Sequence, residues 1–368
     1  MSALDTLGVV GSSRTENERR LPIHPHHLTE IPEADRRRLI FERGYGAPFG
    51  VEDAALERLA GGLAERRELL TGCDGVLLPK PRPEDLAELR RGAVLWGWPH
   101  CVQHREITDL AIERELTLLA FEAMFVWRGE VRELHSFYRN NEMAGYCGVL
   151  HALGLHGQAG LYGRPLAAVV LSFGSVSRGA VYALRGRGIT DVTVYTQRPP
   201  VTVHDRIPGC RYRRMVRRDD HAAAVAADGS LRPLVEVFAE ADLVVNGILQ
   251  DTDRPLMFMA PGDEERLRRG SLIVDVSSDL GMGFPFARPT TFETPTFPVA
   301  GATYYAVDHT PSYLWKSATW EVSRVVVAYL GRVLGGPERW REDETLHRAV
   351  EILRGKIVNP KISRFQGR

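Results

Sequence analysis

An α/β fold of two Rossmann-like domains with a cleft between them is the fold class the sequence predicts, and three observations predict it. The chain has 368 residues, more than one hydrophobic core usually serves. Short apolar runs alternate with helix-period runs along most of its length, the pattern of parallel strands joined by crossover helices. The stretch from Arg164 to Pro200 reads strand, small-residue turn, helix, strand. Such a unit offers backbone N–H groups at a helix start to a pyrophosphate.

Taken in order, Leu7–Gly11, Leu39–Glu42, Gly75–Leu78, Val94–Gly97 and Leu116–Phe121 are apolar and short enough to be buried strands. Val51–Ala60, Pro83–Arg90 and Arg105–Glu115 carry helical spacing between them. A polar joint, His135–Glu142, leads into a helix over Met143–Leu153. The run Leu166–Leu171 opens the second Rossmann-like section, which continues through strands Val192–Tyr195, Leu243–Asn246 and Leu272–Val276 to about Thr303. Arg211–Asp220 is a mixed charge run, expected to be a solvated segment between elements. Ser312–Leu334 has the apolar spacing of a long helix that returns to the first domain, and the polar end Ile362–Arg368 is expected to fray.

Composition removes several classes of function. A formal net charge of zero argues against a general nucleic-acid or membrane-surface binder. No apolar run reaches membrane-spanning length and no signal peptide precedes the first strand, so a cytoplasmic protein is expected. The four cysteines, Cys73, Cys101, Cys147 and Cys210, fit neither a zinc spacing nor a disulfide framework, and no metal is expected. Lysine is nearly avoided: Lys80, Lys316, Lys356 and Lys361 are the whole set.

The turn between the first two strands of the second section carries Ser172, Gly174, Ser175, Val176, Ser177, Arg178 and Gly179. Ser172 and Ser177 stand where a dinucleotide fingerprint would have glycines. The following strand ends Val194-Tyr195-Thr196-Gln197-Arg198, about 20 residues after Gly174, where an acid would hold the ribose of NAD. There is no acid there. Thr196 and Arg198 are instead suited to a 2′-phosphate, so NADP(H) is expected over NAD(H).

Five further features hold residue types suited to chemistry. Arg20, in Glu18-Arg19-Arg20-Leu21-Pro22 after the first strand, has the fork geometry for a carboxylate, against the alternative of a surface arginine. Lys80 ends an apolar strand between two prolines, and His100 ends the next strand in Gly97-Trp98-Pro99-His100. Both are placed for proton exchange near neutrality. Asp275-Val276-Ser277-Ser278-Asp279 follows a strand of the second section and would face a nicotinamide, or else cap a turn. Asp308-His309-Thr310-Pro311-Ser312 lies where the chain returns, as a substrate-closing segment or a plain polar loop.

With these residues in place, the chain resembles the alanine dehydrogenase/transhydrogenase superfamily over nearly its whole length. Within it the likeness is to carboxyethyl-ornithine synthase and the lysine-forming saccharopine dehydrogenases. The resemblance rests on Glu18–Pro22, Pro79-Lys80, Gly97–Cys101, Phe137–Asn140 with Ala144–Tyr146, Gly174–Ala180, Val245–Gly247, Asp275–Asp279 and Asp308–Ser312. It implies a substrate domain of residues 1–138 plus 312–368 and a dinucleotide-binding domain of residues 139–311. It also implies an oxidoreductase acting on a C–N bond beside a carboxylate, with a small amino acid and a 2-oxo acid as partners. Carried over, Lys80 and His100 are the proton-transfer pair. Arg20, Glu122, Asp279, Asp308 and His309 serve the substrate. Ser172, Gly174, Ser175, Val176, Arg178, Gly179, Thr196, Arg198, Asn246 and Asp279 serve the nucleotide.

One departure bears on the substrate. Saccharopine dehydrogenases carry a lysine three residues after the strand-end histidine, where this chain has Gln103. An opine-type dehydrogenase is the leading expectation. An alanine-dehydrogenase-like enzyme using ammonia, or a nucleotide-binding or lyase descendant without redox turnover, are the alternatives. Relatives occur in several assembly states, so a homo-oligomer stays open.

Overall fold

The computed structural model describes residues 3–368. The chain divides into two compact units, Met1–Tyr138 with Trp315–Arg368, and Arg139–Leu314. The first unit opens with strands β1 (Leu7–Val9), β2 (Leu39–Glu42), β3 (Gly62–Ala64), β4 (Gly75–Leu77), β5 (Val94–Gly97) and β6 (Thr117–Ala120). A hairpin of β7 (Phe125–Arg128) and β8 (Val131–His135) follows. The second unit holds β9 (Ala167–Leu171), β10 (Asp191–Thr196), β11 (Arg211–Arg218), β12 (His221–Val225), β13 (Leu231–Pro233), β14 (Leu243–Asn246), β15 (Leu272–Asp275), β16 (Thr296–Val299) and β17 (Ala302–Tyr305). The returning chain adds β18 (Val350–Leu353) and β19 (Lys356–Ile357) to the first.

Both sheets run in the doubly wound order. In the first unit it is β19-β18-β6-β5-β4-β1-β2-β3, parallel from β3 to β6. Every residue of β1, β4, β5 and β6 is buried, as expected of strands covered on both faces. In the second unit it is β13-β12-β11-β10-β9-β14-β15-β17-β16, again parallel across its centre. The helix Trp315–Leu334 returns to the first unit and buries Val322, Val326, Leu330, Val333 and Leu334 in its core. Its Thr319 and Ser323 hydroxyls accept the N–H groups of Leu21 and His24 at 2.9 and 2.7 Å.

Three expectations are corrected. Arg211–Asp220 presents the expected solvated face but is not a segment between elements: Arg211–Arg218 is β11, paired with β10 and β12. Its arginines occupy largely exposed positions around buried Met215, so the strand period was hidden by charge on a wet face. The polar joint is confined to the turn Ser136-Phe137 after β8, because the helix already begins at Tyr138 and runs to His156. The C-terminal end is not frayed. Asn359 caps a helix over Pro360–Gln366 by accepting the Lys361 N–H, and Ile362 and Gln366 are buried. Asn-Pro at a helix start is a start signal that a polar composition masked.

The four cysteines are unpaired. Among the described residues, no group of histidine, cysteine or acidic side chains could hold a metal, and no helix is long and apolar enough to cross a membrane.

Candidate active site

In the first unit the strand order reverses between β1 and β4. Sheets of this order bind ligands beyond the carboxyl ends of strands near such a reversal. Each candidate residue of this unit follows one of those ends: Arg20 after β1, Lys80 after β4, His100 after β5 and Glu122 after β6.

Gly97 decides how closely two of these segments run. A Cβ there would lie 1.9 Å from the Leu78 carbonyl oxygen and 3.3 Å from that of Pro79. Glycine therefore lets the end of β5 pass against the segment leading to Lys80. The Trp98 N–H then donates to the Pro79 carbonyl at 2.8 Å. His100 takes a left-handed backbone, φ 48°, which costs a residue with a Cβ about 1 kcal/mol. Its N–H donates to Glu122 Oε1 at 2.7 Å. Its Nδ1 stands 3.8 Å from the same oxygen, beyond hydrogen-bonding reach.

Glu122 joins these groups electrostatically. Burial, and after it the charge of Glu351, push its carboxyl up to about 8; the His100 N–H and the charge of Lys80 work the other way. Its Oε2 is buried with no hydrogen-bond partner among the described residues. A carboxyl raised in this way beside two proton carriers is the arrangement by which sites set acid and base roles apart.

That raised value has a consequence for stability. Below the ordinary value of 4.5 both folded and unfolded chains hold this proton. As pH climbs from 4.5 through about 8 the unfolded chain releases it while the folded chain keeps it, so folding loses stability across that window. Urea midpoints of wild type and Glu122→Gln, measured across it, are expected to diverge, with the wild type falling relative to the variant. Parallel curves would contradict the assignment.

Arg20 is held in a buried pair. Its Nε donates to Glu18 Oε1 at 2.9 Å, and its second nitrogen contacts Oε2. Its guanidinium carbon lies 4.9 Å from the centroid of the Trp98 ring, so Arg20 and His100 border the same loop. The carboxylate-binding fork is thus already engaged by Glu18.

Two neighbours escaped the sequence reading. Glu351, in β18, is 5% exposed. Its Oε2 accepts the Asn359 side chain at 2.7 Å, and burial raises its pKa. The available signal was one carboxylate inside the apolar run Ala349–Leu353. His135 is pushed down to about 4 by burial, opposed by a hydrogen bond to the backbone of Glu122.

In the second unit the Ser172–Gly179 turn joins β9 to the helix Ser175–Gly186. Ser172 takes φ 73°, supplying the left-handed turn that glycine usually makes. Ser177 donates its hydroxyl to the Leu171 carbonyl at 2.8 Å. Gly247 leaves it room, since a Cβ there would lie 2.4 Å from Ser177 Oγ. Gly179 allows the helix to pack on its neighbour, because its Cβ would fall 1.7 Å from the Glu142 carbonyl oxygen. Both serines are accounted for.

Gly174 is exposed at the helix start, and the first turn carries no acid. Nothing but Ser172 Oγ, at 4.0 Å, approaches the position of its Cβ. An uncovered helix start of this kind, with Gly174, Ser175 and Val176 supplying the backbone, fits the pyrophosphate of a dinucleotide. Arg178 lies over the Phe173 ring at 4.4 Å and donates to the Asp205 carbonyl at 2.6 Å. Arg198 donates to the Phe173 carbonyl at 3.0 Å, and its N–H donates to Thr196 Oγ1 at 3.2 Å.

Asn246 is committed within the fold, its amide donating to Asp275 at 2.9 Å and its oxygen accepting the Ile248 N–H at 3.1 Å. Asp275 also accepts from Tyr304 and from the N–H groups of Ser277 and Ser278. This network fixes the turn that carries half-buried Asp279. Asp308 contacts the His309 Nδ1, and His309 is itself buried. A carboxylate so placed orients an imidazole.

The models of the alanine dehydrogenase/PNT N-terminal and C-terminal domains match residues 9–139 and 210–360. The chain belongs to this family. It is an oxidoreductase of that family, with a Rossmann-type nucleotide-binding unit. The Ser172–Gly179 turn lies between the two matched segments. Among curated relatives, N(5)-(carboxyethyl)ornithine synthase of Clostridium botulinum is 24% identical over 318 residues, 83% of this chain and 88% of that one. Alanine dehydrogenase of Mycobacterium tuberculosis is 22% identical over 362 residues, 94% of this chain and 93% of that one. A solved L-alanine dehydrogenase superposes with a TM-score of 0.76 at 20% identity, over 98% of this chain and 99% of the other. A transhydrogenase from Sinorhizobium meliloti gives 0.71 at 17% identity, over 96% and 100%.

Proposed function

We propose that the chain is an NADP(H)-dependent opine-type dehydrogenase, interconverting an amino acid plus a 2-oxo acid with an N-(carboxyalkyl) amino acid. The observation that carries this reading is the placement of Lys80, His100 and Glu122 after successive strands β4, β5 and β6, with Glu122 tied to His100 by a hydrogen bond and to Lys80 by charge. The relatives named carboxyethyl-ornithine synthase support the opine class.

The amine adds to the keto carbon and water leaves, forming an imine. Those steps move protons from the amine nitrogen and onto the departing oxygen, the work assigned to Lys80 and His100. Glu122, its carboxyl raised by burial, anchors the His100 N–H. When bound, the nucleotide supplies hydride to the imine carbon or takes it back in the reverse direction.

The preference for NADP(H) is supported by the end of β10. Thr196 and Arg198 replace the expected acid, and the register of β10 with β11 sets Arg214 opposite Thr196, on the same face of the sheet. Arg198→Ala combined with Arg214→Gln is expected to weaken NADPH binding about 10-fold or more and leave NADH binding little changed, by fluorescence titration. A wild-type preference for NADH would remove this part of the reading.

A second reading, an alanine-dehydrogenase-like enzyme using ammonia, is favoured by relatives of that name matching 94% of the chain. Crossing basic amino acids and ammonium with pyruvate, 2-oxoglutarate and glyoxylate, with nicotinamide absorbance as readout, separates the two. Turnover that needs an amino acid supports the opine reading; turnover with ammonium alone supports the other. Silence across the panel would overturn both.

A further inference from the structure

The turn that presents His100 is built against its own backbone preference, since His100 adopts φ 48°. Its Trp98 end is tied by the Trp98 N–H to Pro79, and His100 itself is tied by its N–H to Glu122. On its far side the residue after His100, Cys101, is 1% exposed, so its carbonyl cannot turn to solvent and must be satisfied within the protein. Two side chains do so. Thr108 donates its hydroxyl to the Cys101 carbonyl at 2.9 Å, and the Gln366 amide donates to it at 2.7 Å.

Gln366 belongs to the C-terminal helix, beyond the residues matched by either family domain. It is 8% exposed, and its carboxamide is fully engaged. The amide nitrogen also reaches the Val102 carbonyl at 3.3 Å and Thr108 Oγ1 at 3.2 Å. Its oxygen accepts from Arg368 at 2.7 Å, and its backbone carbonyl accepts from Arg105.

We infer that Gln366 is a positioning residue for His100, holding the left-handed turn through the Cys101 and Val102 carbonyls. The inference rests on the reading of His100 as a proton carrier for its catalytic consequence, but not for its structural one. Loss of the amide leaves the buried Cys101 carbonyl with Thr108 alone and lets the turn relax toward an ordinary backbone. The imidazole then samples orientations outside the productive one, and misplacement of a catalytic group by about 1 Å can cost up to 100-fold in rate.

Two measurements on the full chain test this. The first is the His100 imidazole signal in histidine-labelled protein, assigned by its disappearance in His100→Gln. In Gln366→Met it is expected to shift or broaden, while the signal of His151, in the other unit, stays in place. The second is turnover with whichever pair from ammonium, ornithine and lysine with pyruvate is active. Here kcat is expected to fall about 10-fold or more with little change in nucleotide affinity.

Gln366→Glu supplies a second variant should the methionine chain fail to fold. Its carboxylate cannot donate to Cys101, but its protonated form can, so its kcat divided by that of wild type at the same pH should rise as pH is lowered. An unmoved His100 signal in a folded variant overturns the inference whatever the turnover. A wild type inert toward these pairs and across the full panel of amines with pyruvate, 2-oxoglutarate and glyoxylate overturns the proposed reaction, and the His100 signal still decides the role of Gln366.

Discussion

Replacing His100 by glutamine, or Lys80 by methionine, is expected to lower kcat by about 10²–10⁴-fold while nucleotide affinity stays near wild type. The two residues lie in the first unit, after β5 and β4, whereas the nucleotide-type turn lies in the second. The imidazole of His100 is 33% exposed and so carries little of the core. Its loss should be read in chemistry and not in folding. Steady-state rates with a parallel nucleotide titration check this. Equal loss of turnover and nucleotide affinity in a protein of lowered stability would assign these residues to the fold instead.

Arg20→Met is expected to cost about 3 kcal/mol of stability, measured by urea unfolding. The side chains of Arg20 and Glu18 are 3% and 1% exposed and face each other in a two-pronged ion pair. Removing one buried partner is far more damaging than removing both. The double variant Glu18→Gln with Arg20→Met should therefore recover much of the loss. If Arg20 also orients a substrate carboxylate, the double variant will be stable yet have a raised KM. A single variant as stable as wild type would mean that the pair contributes nothing to the fold.

The fold was legible where burial is two-sided. Val94–Gly97 and Leu243–Asn246, buried at every position, have their strand bounds written in apolar composition, because a strand covered on both faces has little room for polar residues. It was illegible where one face is wet. β11 hid its period behind arginines, and in the hairpin β7–β8 the apolar run of β7 is followed by a strand that is exposed along most of its length and carries charge. Short elements such as β3 and the helix Arg66–Gly72 were too brief to show a period.

For the candidate site, strand-end position was readable, since Lys80 and His100 each follow an apolar run. What the sequence hid was long-range pairing. The influence of Glu351 on Glu122 and the reach of Gln366 to Cys101 depend on elements that meet only in the folded unit. Asn246 shows the reverse case. The family resemblance implied a nucleotide contact for this last residue of β14, whereas its side chain is used to brace Asp275.

The most direct test of the proposed chemistry follows one deuterium and one nitrogen. NADPH carrying deuterium at the transferable position is supplied with a 2-oxo acid and an amino acid labelled with ¹⁵N at its side-chain amine. The account predicts one product that holds both labels: deuterium on the carbon between nitrogen and carboxylate, and ¹⁵N as a secondary amine. Deuterium in a primary amine whose nitrogen came from ammonium, or in a simple 2-hydroxy acid, would contradict it.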